Sequence, residues 1–359
     1  MIIMRKLKNF LCFLFCTIFC LQFLGCNTTS TLDFTCFNTA VHVEVTGKSM
    51  SDDVKNTIKN ALNSLEVQFS ATNGTFTNTF NNLETNNSIN ISDTAIEIMD
   101  LSKELHSFTN GKFNPAVYPL VKLWQFSPNY PVNEFRIPDI QEITSFTTEK
   151  YLNLDNVIID KESKKISKIS PISVDFGGIL KGYASDLIAD VLTDNGYKKG
   201  YINIGGSSLK VLASNSLAIR HPENVNNNII RVNTNDLTNF SVSTSGTYER
   251  YYTFNGKTYS HIISPETGYP TETGIISSTV IGTNGAFGDA VTTALCLSEF
   301  DKENPESSQV FILIEKILVE YPNALVFVVY NKDTDKLIIT NKESDYFTLL
   351  DDTYTIVNI

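Results

Sequence analysis

Four short stretches of this chain bring together residue types that can do chemistry. In HIISPETGYP, residues 261–270, a histidine stands where a hairpin-like run, TSGTYERYYTFNGKTYS, gives way to a Pro/Gly turn. The chain has only four histidines. Imidazole is the side chain whose unperturbed pKa lies nearest neutrality, so His261 is a candidate for proton transfer or phosphate contact. A single histidine at a strand end also serves as a packed or solvated residue. In SVDFGGILKGYASDLIADVL, Asp175 ends an extended run, Gly177-Gly178 permits a tight turn, and Lys181 stands at the start of a helix. Exposed amides, the helix dipole and one cation would then converge on an anion. The G-x-x-x-x-G-K-[ST] spacing of a P-loop is absent. In YINIGGSSLKVLA, Gly205-Gly206 interrupts a strand, which marks either a bulge or a close backbone approach by a ligand. In GDAVTTALCL, Asp289 and Thr293 lie four apart on an expected helix and share a face. One carboxylate and one hydroxyl are too few donors for calcium or zinc but suit magnesium, which keeps positions for water and substrate phosphates. The same pair also occurs as ordinary surface residues.

The elements that must position these groups are visible in the hydrophobic periodicity. SDDVKNTIKNALNSLEVQF begins with an N-cap Ser51 and puts Val54, Ile58, Leu62 and Leu65 on one face. DTAIEIMDLSKELHSFTNG is a second amphipathic helix, stopped at Asn110-Gly111. ILKGYASDLIADVLTDNG is a third, closed at Asn195-Gly196. Short strands with turn signals follow: YINIGG, SLKVLA, SLAIR, IIRVN, FSVST, YERYYTF, KTYSHII and ISSTVIG. A helix beginning near Gly288, an apolar helix after Pro305, and the strands ALVFVVYN and KLIIT close the chain. The asparagine-rich residues 73–92 read as an exposed loop. Helices bracketing a run of antiparallel strands give an α+β fold in one large domain. No heptad, solenoid period or low-complexity tract is present.

The N-terminus reads as a leader. Arg5, Lys6 and Lys8 precede an apolar run from Phe10, and Leu24-Gly25-Cys26 closes it before a polar segment. The run is short for a bilayer span. FLGC therefore reads as a lipobox with Cys26 acylated, the alternatives being a cleaved leader without lipid or an uncleaved anchor. This gives a leader over 1–25, a linker over 26–35, a domain over 36–359, and a lipid-anchored location on the extracytoplasmic face of the membrane. The net charge is −11, and the leader carries three of the cations and no acidic residue, so its loss leaves a still more acidic chain. Such a charge argues against nucleic acid and against docking on anionic lipid, which leaves the anchoring to the acyl group. Of six cysteines, Cys12, Cys16 and Cys20 fall in the leader. Cys36 and Cys296 remain, and buried free thiols are the expectation over a pair.

Taken together and in order, GKFNPAVYPLVKLWQF, VDFGGILKGYASD, YINIGG, STSGTYERYY, HIISPETGYP and GDAVTTAL resemble the ApbE-type FAD:protein FMN transferases, from about Phe37 to Leu297. The resemblance implies a T-fold-related domain that binds FAD as substrate. It further implies a magnesium ion at the pyrophosphate, transfer of FMN to a threonine or serine of an acceptor protein, and release of AMP. By position, Asp289 and Thr293 match the family's metal ligands, with Thr292 also in reach. Gly178 matches a site that supplies an oxygen, here its backbone carbonyl. Asp175, Lys181, Lys112, Phe113, Asn114 and Ile263 match FAD-contacting positions, Phe37 matches the family's early Met-Gly-Thr segment, and His261 matches the histidine implicated in transfer.

The chain departs from the family pattern at Asn114 and Ser264, where aspartate is usual, at Ser207, where an acidic or amide residue is common, and in FNTA. The implied acceptors are extracytoplasmic flavoproteins such as subunits of Rnf-type or sodium-pumping NADH:quinone reductases, or flavin-bearing reductases. A magnesium-dependent FAD pyrophosphatase and a non-catalytic flavin-binding lipoprotein are the other readings. The metal pair argues against the last.

Overall fold

The computed structural model describes residues 28–71, 74–127, 135–214, 216–235 and 237–359. The leader and Cys26 lie outside them. Strands β1 (Thr29–Cys36) and β2 (Thr39–Thr46) come first, followed by helices α1 (Asp52–Phe69) and α2 (Phe76–Asn81), β3 (Ser88–Asn90) and α3 (Asp93–Phe108). Three short helices, α4 (Tyr118–Leu123), α5 (Ile140–Phe146) and α6 (Glu149–Leu152), precede β4 (Val157–Asp160), β5 (Lys165–Lys168) and α7 (Leu180–Asp194). Then come β6 (Gly200–Ile204), β7 (Ser208–Ala213), β8 (Ser216–Arg220), β9 (Asn228–Asn233), β10 (Thr238–Gly246), β11 (Tyr251–Phe254), β12 (Lys257–Ser260) and β13 (Ile275–Thr283). The chain finishes with α8 (Gly285–Cys296), α9 (Gln309–Glu320), β14 (Leu325–Lys332), β15 (Asp335–Thr340), β16 (Phe347–Leu349) and β17 (Thr355–Asn358).

One nine-stranded sheet, in the order β1-β2-β6-β7-β10-β13-β14-β15-β17, organises the molecule. Its pairings are antiparallel except the last, β15 with β17. Strand alternation gives the sheet two apolar faces. In β14, Val326, Val328 and Tyr330 enter the main core with the helices, while Leu325, Phe327 and Val329 enter a second core. That second core is covered by the small sheet β16-β9-β8, through Ile230, Val232 and Phe347. The antiparallel strands with helices against them are the α+β class expected. A third apolar cluster joins α4 and α5 to the β11–β12 hairpin through Leu120, Trp124, Ile143, Tyr259 and Ile263.

The helices start where their caps lie. Ser51 Oγ accepts from the Val54 amide, and α1 buries Val54, Ile58, Leu62, Leu65 and Phe69. Asn284 caps α8 by accepting from the Phe287 amide, so that helix begins three residues before the expected Gly288. The stretch expected to be an exposed loop is partly built in. Thr75 caps α2, Phe80 is fully buried, and Asn81 exchanges hydrogen bonds with the amide and carbonyl of Val174. Asn81 is a bonding partner rather than a solvated spacer, which composition alone could not show, while Asn82, Asn86, Asn87 and Asn90 are exposed. Likewise, the expected linker over 26–35 is strand β1 from Thr29 onward, paired along its length with β2 and burying Leu32 and Cys36. Cys36 and Cys296 are free, buried thiols. Among the described residues no helix is long and apolar enough to cross a membrane.

Candidate active site

The site begins where α7 crosses α8. A Cβ on Gly182 would lie 2.1 Å from the Gly285 carbonyl oxygen, so both crossing positions must be glycine for the backbones to touch. That contact puts the start of α7 beside the first turns of α8. The Gly182 amide donates to Asp289 Oδ2 at 2.8 Å. Ser208 Oγ at the start of β7 donates to the same carboxylate at 2.9 Å, and Ser243 Oγ in β10 donates to Oδ1 at 2.7 Å. Burial pushes the Asp289 carboxyl up to about 6, against the pull of Lys181 and of these donors. Lys181 Nζ donates to Ser207 Oγ, in the segment that follows the Gly205-Gly206 turn.

One turn along α8 from Asp289, the two adjacent threonines are not equivalent. Thr292 is fully enclosed, with its hydroxyl on the Gly288 and Asp289 carbonyls and 2.9 Å from Ser245 Oγ. Thr293 is partly accessible, bonds the Asp289 carbonyl at 3.1 Å, and shares Ser245 Oγ at 3.3 Å. The donors here are hard oxygens around one carboxylate, and among the described residues no cluster of three His, Cys, Asp or Glu side chains could hold a metal. This set fits magnesium, which binds through one or two carboxylates, and excludes a zinc-type cage.

The Gly-Gly turn lies alongside the GKFNP segment. The Asp175 amide donates to the Pro115 carbonyl, Asp175 Oδ1 accepts from the Gly177 amide at 2.7 Å, and a Cβ on Gly178 would sit 3.0 Å from the Phe113 ring. Phe113, Asn114, Asp175 and Gly178 are therefore one neighbourhood. Burial raises the Asp175 carboxyl, with the Gly177 amide and Arg250 opposing it. Asn114 is buried and bonded locally, donating to the Leu152 carbonyl and accepting from the Ala116 amide. Lys112 Nζ donates to the Leu297 carbonyl at the end of α8, where a cation meets the negative end of the helix.

His261 follows directly on β12, as the strand-end reading expects. The Arg250 carbonyl accepts from its backbone amide at 3.0 Å and lies 3.1 Å from Nδ1. A carbonyl can only accept, so Nδ1 carries the proton and the Nε2 lone pair is left to receive one. Burial, with Arg250 and Lys181 nearby, drives the imidazole down to about 4. The turn beyond it is pinned: Trp124 Nε1 donates to the Gly268 carbonyl at 2.8 Å, and Gly268 has φ 73° against Ile143 and Thr147. Ile263 points into the Trp124 cluster, so toward a ligand it can offer only backbone. Phe37 occupies the β1–β2 turn with its amide on Glu66 Oε1, and Thr39, the first residue of β2, abuts Gly205. Of the other expected residues, Lys181 and Asp289 stand at the α7–α8 crossing, Thr292 and Thr293 one turn further along α8, and His261 at the hairpin base, while Lys112 lies at the far end of α8.

A sequence profile of the ApbE family matches residues 37–305, more than half of the chain. The chain belongs to the ApbE family. It is 31% identical over 208 residues to an FAD:protein FMN transferase of Klebsiella pneumoniae (strain 342), covering 58% of this chain and 63% of that protein. It is 29% identical over 256 residues to the protein of the same description from Buchnera aphidicola subsp. Schizaphis graminum, covering 69% and 74%. The chain spans about three fifths of the length of the first of these curated relatives. The ApbE protein of Thermotoga maritima superposes with TM-score 0.71 at 23% identity, over 84% of this chain and 94% of that one. The flavinyl transferase ApbE of Pseudomonas stutzeri gives 0.71 at 23%, over 85% and 92%. Both share the ApbE fold.

Several residues of this ApbE-family site stand inside the quoted motifs without a role assigned from sequence. Ser243 and Ser245 hold Asp289 and the threonines, and with Ser241 they occupy every second position of β10. Serines at period two on a central strand were the available signal, since a buried polar face needs buried partners. Ser208 and Arg250 lie in quoted stretches but carry no local signal of the contacts they make.

Proposed function

We propose that the chain is a magnesium-dependent FAD:protein FMN transferase, moving FMN from FAD to a threonine or serine hydroxyl of an acceptor protein and releasing AMP. The observation that carries this reading is the Asp289 carboxylate, buried on three polar donors beside Lys181, with a neutral His261 held by Arg250 at the hairpin base. Family membership and the names of the curated relatives support it. Asp289, Thr293 and the Gly178 carbonyl would hold the cation, with Thr292 acting through Ser245. A divalent ion bound there neutralises charge on pyrophosphate oxygens and on the departing phosphate.

This chain's own residues do the rest. The Gly177-Gly178 turn and Lys181 offer amides and a fixed cation to the pyrophosphate. His261, neutral and with Nε2 unprotonated, takes the proton of the incoming hydroxyl. Its low affinity for protons in the empty site rises when an anionic pyrophosphate offsets Arg250 and Lys181. Cys26 supplies a lipid anchor on the extracytoplasmic face, where flavoprotein subunits of the Rnf or sodium-pumping reductase type are the acceptors. The test is to incubate the full chain with FAD, Mg2+ and an acceptor domain. In-gel flavin fluorescence of the acceptor and stoichiometric AMP are expected together; AMP with an unlabelled acceptor would show a pyrophosphatase instead.

A further inference from the structure

Lys168 is a buried cation that the mechanism leaves unused. It ends β5 and is 2% exposed, and its Nζ donates to the carbonyls of Phe80 at 2.9 Å, Asn81 at 3.1 Å and Ile172 at 2.9 Å. None of these partners is a carboxylate. An ammonium has three N–H donors and no acceptor, so the carbonyls take every donor it has. Burial lowers the amine to about 8, which leaves it charged at neutral pH. The charge also lies 5.1 Å from the centroid of the Phe80 ring. Burying a charge costs free energy, and a tie needed only for packing can be made as well by apolar groups of the same volume.

The ammonium joins two pieces of chain. Phe80 and Asn81 close α2, and Ile172 belongs to residues 171–176, which lie in no strand or helix and lead directly into the Gly177-Gly178 turn. α2 grips the same segment a second time, through the two bonds of the Asn81 side chain to the Val174 amide and carbonyl. Asp175 comes next, with its amide on the Pro115 carbonyl. Ile172, Val174 and Phe176 bury their side chains in the main core, which fixes the depth of the segment. Apolar burial is non-directional, however, so the position along the chain is left to the main-chain bonds. We propose that Lys168, acting through Ile172 and through α2, is a positioning residue for FAD: it holds residues 172–174 in the register that brings Asp175, Gly177 and Gly178 to the pyrophosphate. The inference rests on the reading of that turn as FAD-binding.

The test is the FAD affinity of the full-length chain in detergent, with Mg2+ and no acceptor, followed by flavin fluorescence and set beside the melting temperature. Lys168→Met keeps the volume of the stem and removes the ammonium. It is expected to weaken FAD binding about ten- to a hundredfold, the factor that a hydrogen bond from a charged donor carries. Val232→Ala, in the second core, loosens the fold away from the turn; it is expected to lower the melting temperature and leave FAD affinity at the parent's value. Equal losses of affinity in the two variants would reduce Lys168 to general support of the fold and overturn the proposal. A parent that binds no FAD would overturn the FAD reading and this inference together, whereas a parent that binds it and a folded Lys168→Met chain that binds it equally well would overturn the inference alone. If Lys168→Met does not fold, Asn81→Ala carries the test, since it frees Val174 from the same helix. Weakened FAD binding there supports the clamp, and unchanged binding refutes it.

Discussion

Gly182→Ala is the sharpest perturbation of the scaffold, because two opposing effects meet there. In an ordinary helix interior, alanine in place of glycine stabilises by about 1 kcal/mol. Here the new methyl would stand 2.1 Å from the Gly285 oxygen and 2.8 Å from the Ala286 nitrogen. The helices must separate by about 1 Å to restore a tolerable contact, and overpacking of this kind costs about 1–3 kcal/mol. The same movement draws the Gly182 amide away from Asp289, a bond to a charged group worth about 1.5–3 kcal/mol. The balance is a loss of about 2–5 kcal/mol, a large share of a domain's 5–15 kcal/mol. Urea unfolding followed by circular dichroism should show the midpoint lowered by about 1 M or more. FMN transfer should fall with it, because the displaced amide is one of the donors that fix Asp289. A variant with an unchanged or higher midpoint would refute the close crossing.

His261→Ala should lower FMN transfer by about two to four orders of magnitude with little change in FAD affinity, measured by transfer kinetics alongside flavin fluorescence titration. A base must be neutral to act. In the FAD-free chain the imidazole is held down to about 4, so with saturating Mg2+ to keep the Asp289 carboxyl ionised, kcat/KM for FAD, which reports the free chain, should persist near pH 5.5, where an ordinary histidine is mostly protonated, and fall as pH drops toward 4, while the acid limb of kcat lies higher because bound pyrophosphate raises the histidine; a kcat/KM loss centred near pH 6.5 in a folded chain would contradict this. Cys26→Ala should release the chain from the membrane fraction, and retention after loss of both the leader and Cys26 would overturn the anchor.

How much of this was legible in the sequence depends on the range of the interaction involved. Ser51 and the Val54, Ile58, Leu62, Leu65 spacing specify α1 locally, and Asn255-Gly256, with φ of 50° and 77°, specifies the β11–β12 turn. The paired glycines were visible as punctuation, yet Gly182 was not, because its reason is a partner more than a hundred residues away. Ser208 and Arg250 are likewise defined by what the fold brings to them. Residues 73–92 looked like solvated loop because asparagine is commonest there, whereas Asn81 is bound to Val174. β16 and β17 are three and four residues long, too short to announce themselves by alternation.

The central claim is that Asp289 holds the cation for an FMN transfer. Its most direct measurement is flavin incorporation into a Thr/Ser acceptor by the parent and by Asp289→Asn, with FAD and Mg2+ saturating and with EDTA as control. Asparagine keeps a carbonyl acceptor for Gly182, so the scaffold is preserved while the charge is lost. The account predicts labelled acceptor and AMP from the parent alone, with both abolished by EDTA. An Asp289→Asn chain that labels the acceptor at the parent's rate, or a parent indifferent to EDTA, would contradict it.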